Sequence, residues 1–319
     1  MSAPIWVYAE VSDGTLDPSA LELVTKARVL GDDVAAVALG PGSTTAAETL
    51  GEHGARTVYA SDDAVYADYV AQPAAHALHQ LVEEHKPELL LFATNYDSRD
   101  VAGRLSALTG APVVSNISGI EDTNTVTTAI FGGSTVARVV VTGSPRLVLV
   151  RPKSFEAAAS GGRAEVVPVE IDVPDELKRA QRVERREEAA TGPKLDQAGV
   201  VIAGGRGLGE AENFKLLDEL AGAIGGAAVG ATRAVVDAGW VPYAMQVGQT
   251  GATVKPSVYL AFGISGATQH VVGMKGAKKI VAVNKDEDAP IFALADLGIV
   301  GDALKILPRL IEEIRQRRG

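Results

Sequence analysis

The first ninety residues alternate short apolar runs with amphipathic patterns, and this alternation limits the folds open to the chain. Apolar runs typical of β-strands span residues 5–10, 34–39, 57–60 and 88–93. Helical patterns lie between them at residues 20–30, 45–52 and 65–85. Strands that alternate with helices predict a mainly parallel sheet with right-handed crossovers.

The pattern changes after a further predicted helix at residues 100–108. Four apolar runs then follow at hairpin spacing, at residues 112–116, 126–131, 135–141 and 147–151. The turn signals Gly132-Gly133 and Gly143-Ser144-Pro145 separate the later runs. We therefore expect antiparallel strands at the end of the first domain.

Residues 173–198 carry many charges of both signs and few large apolar groups, which is typical of a solvated linker or a surface helix. The chain is accordingly predicted to contain a domain at 1–172, a charged linker at 173–198 and a second domain at 199–319. A second α/β pattern begins at Gly199, with strands at 200–203, 258–262 and 279–283, a helix at 210–224, a short helix after Ser265 and a terminal helix. Pro308 predicts that the terminal helix either kinks or begins there. The fold class is α/β, with two domains that each contain a mainly parallel sheet flanked by helices.

Composition excludes several functions. The net charge of −10, from 40 acidic and 30 basic residues, disfavours binding to nucleic acid. With no cysteine, the chain forms no disulfide, thiolate nucleophile or Cys-ligated cluster. The sequence begins without a basic segment and long apolar run, and it contains no run of about 18 apolar residues, so we expect a cytoplasmic protein without membrane insertion.

Glycine is concentrated in the second half, where residues 199–319 contain 19 of the 34 glycines. At residues 200–214, VVIAGGRGLGEAENF, an apolar run leads into glycines and then a helix, as in phosphate-binding loops. Glycines at 205, 207 and 209, with Glu210 after them, do not match the dinucleotide fingerprint. This segment alone fits a phosphate site or a tight structural turn, and Arg206 favours the phosphate site.

Three more glycine-rich loops follow, at residues 229–233, 247–251 and 263–270. Each pairs permissive backbone with hydroxyl, amide or cationic side chains, and the first and third stand where predicted strands end. Open α/β sheets bind ligands at that position. The second domain is therefore predicted to hold the ligand.

The runs GGRGLG, VGATRAVVDAGWVPYAMQVGQTG, GISGATQHVVGM, NKDEDAPIF and ADLGIVGD resemble the FAD-binding C-terminal domain of the electron transfer flavoprotein alpha subunit, the FixB-like family. The N-terminal half is similar to the first domain of that subunit, an α/β domain related to adenine nucleotide hydrolases that faces the partner. The resemblance implies FAD in this chain and a heterodimer with a beta subunit that carries AMP. It also implies an electron carrier without substrate chemistry of its own, which serves acyl-CoA and related dehydrogenases in fatty acid β-oxidation and a quinone-linked acceptor.

The resemblance also assigns FAD contacts. Arg206 and Gly207 would meet the phosphates, Thr232 and Arg233 would lie by the isoalloxazine ring, and Asn284 and Asp302 would hold the adenosine end. Val247, Gly248, Gln249 and Thr250 would contact the ring and ribityl chain. Ser265, Gly266, Ala267, Thr268, Gln269 and His270 would wrap the ribityl and pyrophosphate, with His270 near the C2 carbonyl. Arg233 or a protonated His270 beside the ring would stabilise negative charge on it.

Two other functions remain open from the residues: an adenine-nucleotide-binding regulatory protein without a redox role, and the flavin subunit of an electron-bifurcating complex. The sequence shows neither a nucleophile elbow nor a Walker phosphate loop, and its adjacent carboxylates do not form an acid–base pair. No partner cluster of ligands supports His76 and His79, so we predict no metal site.

Overall fold

The computed structural model describes residues 4–131, 135–184 and 193–318, and the chain divides into two compact units, residues 1–185 and 186–319. Each unit has its own sheet with flanking helices. The predicted α/β class, with mainly parallel sheets and some antiparallel strands in the first unit, is confirmed.

The first unit contains ten strands and five α-helices among its described residues. The strands are β1 (Ile5–Ser12), β2 (Thr15–Leu16), β3 (Val34–Leu39), β4 (Thr57–Ser61), β5 (Leu89–Ala93), β6 (Val113–Ile120), β7 (Thr125–Ile130), β8 (Thr135–Val140), β9 (Arg146–Val150) and β10 (Glu165–Pro168). The helices are α1 (Pro18–Leu30), α2 (Ser43–His53), α3 (Val65–Asp68), α4 (Gln72–His85) and α5 (Tyr96–Thr109). The sheet order is β10-β4-β3-β1-β5-β9-β6-β7-β8, and β2 pairs with β1.

Strands β3 and β5, near the centre of this sheet, are apolar along their whole length because helices cover both faces. Every residue of β3 and β5 is buried. Leu23 of α1 and Leu50 of α2 pack in the core on one face, and Leu78 of α4 and Leu105 of α5 pack on the other. Burial on both faces explains why these strands show no apolar–polar alternation.

The predicted helix at residues 65–85 is two helices, α3 and α4. The chain between them is extended at Tyr69, which bridges to Gln181, and Ala71 has a positive φ of 51°. Pro73 lies in the first turn of α4, where its missing N–H costs no helical hydrogen bond. Proline thus starts a new helix where the apolar periodicity alone suggested one continuous element.

The prediction of antiparallel strands is correct for β6, β7 and β8 and wrong for β9. Strand β7 pairs antiparallel with both β6 and β8. Strand β9, however, lies parallel between β5 and β6. Residues 147–150 of β9 are fully buried, as a central strand requires, and hairpin spacing did not reveal this. The predicted turn at Gly132-Gly133 lies outside the described residues.

The described ends of the charged segment 173–198 contact the two units, and the boundary between the units, at residues 185 and 186, lies within the segment. In the first unit, the Val70 amide donates to the Ala180 carbonyl at 2.8 Å, and Arg182 forms an ion pair with Asp97 at 3.0 Å. In the second unit, Leu195 and Ala198 are buried in the core. Residues 185–192 lie outside the described part of the chain.

The second unit contains five strands and four α-helices in the described range 193–318. The strands are β11 (Val200–Gly204), β12 (Ala227–Ala231), β13 (Val258–Phe262), β14 (Ile280–Asn284) and β15 (Leu297–Val300). The helices are α6 (Lys215–Ile224), α7 (Arg233–Asp237), α8 (Thr268–Met274) and α9 (Ala303–Arg318). All pairings in the order β12-β11-β13-β14-β15 are parallel.

Two details of this unit correct the sequence analysis. The predicted helix at 210–224 begins as a 3₁₀ turn, Ala211–Phe214, and becomes α-helical only at Lys215. Helix α9 begins at Ala303 and continues through Pro308, which lies on its exposed side. Leu307 and Ile311 are buried in the core on the opposite side of α9, and this packing keeps the helix continuous through the proline.

Candidate cofactor site

The polar side chains singled out in the sequence collect at the carboxyl edge of the second sheet. In a parallel sheet all strands end at the same edge, and a ligand crevice opens where successive connections leave in opposite directions. Here β12 lies on one side of β11 and β13 on the other, so that crevice stands between β11 and β13. Arg206 follows β11, Thr232 and Arg233 follow β12, residues 265–270 follow β13, Asn284 ends β14 and Asp302 follows β15.

Two glycine loops flank this crevice and touch through their backbones. The Gly207 amide donates to the Gly263 carbonyl at 3.0 Å, and the Gly205 amide donates to the Phe262 carbonyl at 3.0 Å. A Cβ atom at Gly207 would lie 2.6 Å from the Gly263 Cα atom. Glycine is therefore required for this close approach, and Arg206 is exposed between the two glycines.

Arg233 stands at the start of helix α7, beside the end of β11. The amide of Thr232, the residue before α7, donates to the Gly204 carbonyl at 3.0 Å and fixes the loop against β11. Nε of Arg233 donates to Oδ2 of Asp237 at 3.1 Å, and both side chains are exposed. The Arg233 guanidinium thus has an anionic partner in its own helix and remains exposed.

The turn formed by residues 246–252, called the Gln249 turn, contains four of the assigned residues, Val247, Gly248, Gln249 and Thr250. The Val247 amide donates to the Ala231 carbonyl at 2.9 Å, and the Gln249 amide donates to the Gln269 carbonyl at 2.7 Å. Gly248 has a φ of 144°, and a Cβ atom there would lie 2.7 Å from the Gln269 carbonyl oxygen. The backbone is therefore anchored to β12 and α8, while the Gln249 and Thr250 side chains are exposed.

Two residues outside the assigned set support Thr250. Nε2 of Gln246 donates to Oγ1 of Thr250 at 2.9 Å, and the Tyr243 hydroxyl donates to the Thr250 carbonyl oxygen. Gln246 is only 3% exposed. Because the Thr250 oxygen accepts from Gln246, its own hydrogen is left to donate outward. Gln246 gives no signal in the sequence, since a buried amide inside a loop has no pattern of its own.

His270 is buried and bonded on both sides of its ring. The Tyr259 hydroxyl lies 2.9 Å from Nε2, and Nδ1 lies 3.0 Å from the Val247 carbonyl oxygen. Burial lowers the pKa of His270 to about 4, against the opposing effect of the Val247 carbonyl. The ring is thus neutral near pH 7, and the structure argues against the protonated His270 that was one of two expected sources of positive charge.

The remaining assigned residues have two roles at this edge of the sheet: some expose polar side chains, and others hold a loop or a helix in place. The Gly263–Gln269 loop is held by the Ile291 amide, which donates to the Ser265 carbonyl at 3.0 Å, and its Ser265, Thr268 and Gln269 side chains are exposed. Asn284 instead braces the loop, since its Nδ2 donates to the Ile264 carbonyl at 2.9 Å. Asp302 caps α9 through the Leu304 amide at 3.0 Å and lies 3.2 Å from Nζ of Lys285.

Comparison with known proteins identifies the family. Residues 5–176 match the electron transfer flavoprotein domain, and residues 194–275 match the electron transfer flavoprotein FAD-binding domain. The chain belongs to the electron transfer flavoprotein alpha subunit family. It is 41% identical over 318 residues to the alpha subunit of Mycobacterium tuberculosis, covering 99% of this chain and 100% of that protein. It is 39% identical over 316 residues to the subunit of Mycobacterium leprae, covering 98% of each chain.

A third relative has a different name. The protein FixB of Clostridium saccharobutylicum is 36% identical over 323 residues, covering 98% of this chain and 96% of that protein. Family membership supports the role of an electron carrier subunit that binds FAD and implies a beta-subunit partner. In the described part of the chain, no helix is long and apolar enough to cross a membrane.

The donor set of this edge fits FAD. A pyrophosphate calls for cations and N–H or O–H donors, and the exposed Arg206, Ser265 and Thr268 provide them. An isoalloxazine ring calls for planar and hydrogen-bonding neighbours, which Arg233, Gln249 and Thr250 can supply. Among the described residues, no group of three or more His, Asp or Glu side chains is placed to hold a metal ion.

Proposed function

We propose that this chain is the FAD-carrying alpha subunit of a heterodimeric electron transfer flavoprotein that accepts electrons from acyl-CoA and related dehydrogenases and delivers them to a quinone-linked acceptor. The observation that carries the proposal is the meeting of four polar loops at the crevice between β11 and β13, within a chain of this family. The beta subunit would bind AMP. The chain itself would carry out no substrate chemistry.

Bound FAD would supply reversible electron uptake, and the chain would supply binding and charge. Arg206 and Gly207 would hold the phosphates, together with the Gly266, Ala267, Thr268 and Gln269 backbone and side chains. Asn284 and Asp302 would support the adenosine end through the loops they brace.

The ring would lie by Arg233, Thr232 and the Gln249 turn, including Val247 and Gly248. The Arg233 guanidinium favours negative charge on a neighbouring ring because opposite charges attract. The Thr250 hydroxyl would donate one hydrogen bond, since Gln246 already occupies its oxygen. That hydroxyl does not titrate near neutral pH, which suits a carrier of electrons.

The test is to produce this chain with its cognate beta subunit and to analyse the complex. We expect a heterodimer that absorbs at about 450 nm and releases FAD and AMP on denaturation. An acyl-CoA dehydrogenase with its substrate should reduce it. Two flavins per heterodimer would indicate a bifurcating complex instead. A complex that binds adenine nucleotide but no flavin would overturn the proposal in favour of a regulatory protein.

A further inference from the structure

Tyr259 and His270 form a buried hydrogen-bonded pair next to the Gln249 turn. The Tyr259 hydroxyl lies 2.9 Å from Nε2 of His270, and Nδ1 of His270 lies 3.0 Å from the Val247 carbonyl oxygen. Tyr259 is completely buried and His270 is 6% exposed. Two hydrogen bonds in series therefore connect strand β13, through helix α8, to the turn.

The partners fix the direction of both hydrogen bonds. A carbonyl oxygen only accepts, so Nδ1 of His270 carries the hydrogen and donates to Val247. In the neutral ring Nε2 is then an acceptor, and it receives the hydrogen of the Tyr259 hydroxyl. The ring is held on both sides, and each of its nitrogens is satisfied inside the protein.

The turn packs closely on the same helix. A Cβ atom at Gly273, one helical turn after His270, would lie 2.4 Å from the Gly248 nitrogen. The Gln249 amide donates to the Gln269 carbonyl at 2.7 Å. A shift of the His270 ring would therefore move the backbone that presents Gln249 and Thr250.

We propose that Tyr259 is a positioning residue for the flavin site: its hydroxyl holds the His270 ring, and the ring holds the Val247 carbonyl and with it the Gln249 turn. Tyr259 is too deeply buried to touch a ligand at the sheet edge, so it acts through His270. The proposal rests on the proposed function insofar as the turn faces FAD. This role would explain why a hydrogen-bonded ring pair is buried at this position.

The test compares the wild-type complex with Tyr259→Phe, which removes one oxygen atom and keeps the ring. Tyr8→Phe is the matched control, because Tyr8 is a buried strand tyrosine of the first unit. Three quantities are measured: the His270 Nδ1–H resonance by ¹⁵N NMR, amide exchange at Gln249 and Ala252, and the dissociation constant of FAD. The first two are measured with and without FAD.

In Tyr259→Phe we expect the Nδ1–H resonance to broaden by exchange with water and both amides to exchange faster. We expect the FAD dissociation constant to rise by about tenfold, which corresponds to about 1.4 kcal/mol. Tyr8→Phe should change none of these quantities.

Unchanged NMR and exchange in Tyr259→Phe would overturn the proposal, as would altered exchange with unchanged FAD affinity, or equal effects in Tyr8→Phe. If the wild-type complex bound no FAD, the proposed function would fail, and the NMR and exchange measurements without FAD would still decide whether Tyr259 holds the turn.

Discussion

Nε of Arg233 and Oδ2 of Asp237 lie 3.1 Å apart across one turn of helix α7, at the edge of the sheet where FAD is proposed to bind. The Arg233 charge should stabilise the reduced flavin. Both side chains are exposed, so we take the lower end of the range for a charge-assisted contact, about 1.5 kcal/mol. At about 59 mV per 1.4 kcal/mol, Arg233→Ala should lower the first reduction potential by roughly 60 mV. Spectroelectrochemical titration of the complex measures this first reduction potential.

Asp237→Asn is the natural counterpart, because it removes the anion that partly neutralises Arg233. The first reduction potential should rise in this variant, by less than it falls in Arg233→Ala. Arg233→Lys should recover only part of the loss, since an ammonium lacks the planar face of a guanidinium. An unchanged potential in Arg233→Ala, with FAD fully bound, would assign Arg233 a structural role.

Gly207→Ala should destabilise the second unit. Its new Cβ atom would lie 2.6 Å from the Gly263 Cα atom, so the two glycine loops would have to separate. We expect the free energy of unfolding to fall by about 1–3 kcal/mol and FAD binding to weaken. Urea titration with a tryptophan or circular dichroism signal measures the first quantity, and flavin fluorescence measures the second.

Gly222→Ala provides the control for that substitution. Gly222 lies in helix α6, is exposed, and a Cβ atom there would meet nothing within 4 Å. Alanine should stabilise the helix by about 0.5–1 kcal/mol. If both variants changed stability equally, the close contact of Gly207 would not be the cause.

Gln246→Ala should weaken FAD binding, because it removes the donor that orients the Thr250 hydroxyl and leaves a gap in a buried position. The loss of a buried hydrogen bond should lower the free energy of unfolding by about 1–3 kcal/mol, and the dissociation constant of FAD should rise because the Thr250 hydroxyl is no longer oriented. Isothermal titration of the deflavinated complex measures this constant. Gln80→Ala, an exposed glutamine in α4, should leave the affinity unchanged.

The sequence predicted elements whose signal is local and missed those that depend on neighbours. Strands β11 and β13 are apolar runs with clear ends, and both were identified. Strand β12, AAVGA, consists mainly of small residues, so the sequence indicated only its end, at the loop of residues 229–233; its strand conformation comes from pairing with β11. The start of α6 and the course of α9 also could not be predicted from local pattern. Tertiary packing sets where α6 begins within residues 210–224 and keeps α9 helical through Pro308.

The candidate site, too, could be predicted from the sequence only in part. Glycine loops at strand ends have a recognisable pattern, and the structure brings Arg206, Thr232 and residues 265–270 to one edge of the sheet. The residues that support the loops have no such pattern: Gln246 is a buried amide whose partner, Thr250, lies in the same turn, and Tyr259 is a buried tyrosine whose partner, His270, lies in the next helix. The FAD contacts assigned to the loop residues remain predictions.

The buried His270 should make the second unit sensitive to acid. Its pKa is lowered from 6.5 to about 4 in the folded protein, chiefly by burial. Between these two values the unfolded chain binds more protons, so stability falls as pH falls and is complete only above about pH 6.5. From pH 7.5 to pH 5 this one residue should cost about 2 kcal/mol of unfolding free energy.

His270→Gln separates this effect from that of the carboxylates, which titrate equally in both proteins. The variant should be less stable at pH 7.5, and its stability should decline less than that of the wild type down to pH 5. Urea titrations at both pH values measure the difference. Equal declines in the two proteins would show that His270 accepts a proton in the folded state, and a cationic ring beside the flavin would then become the better explanation of its position.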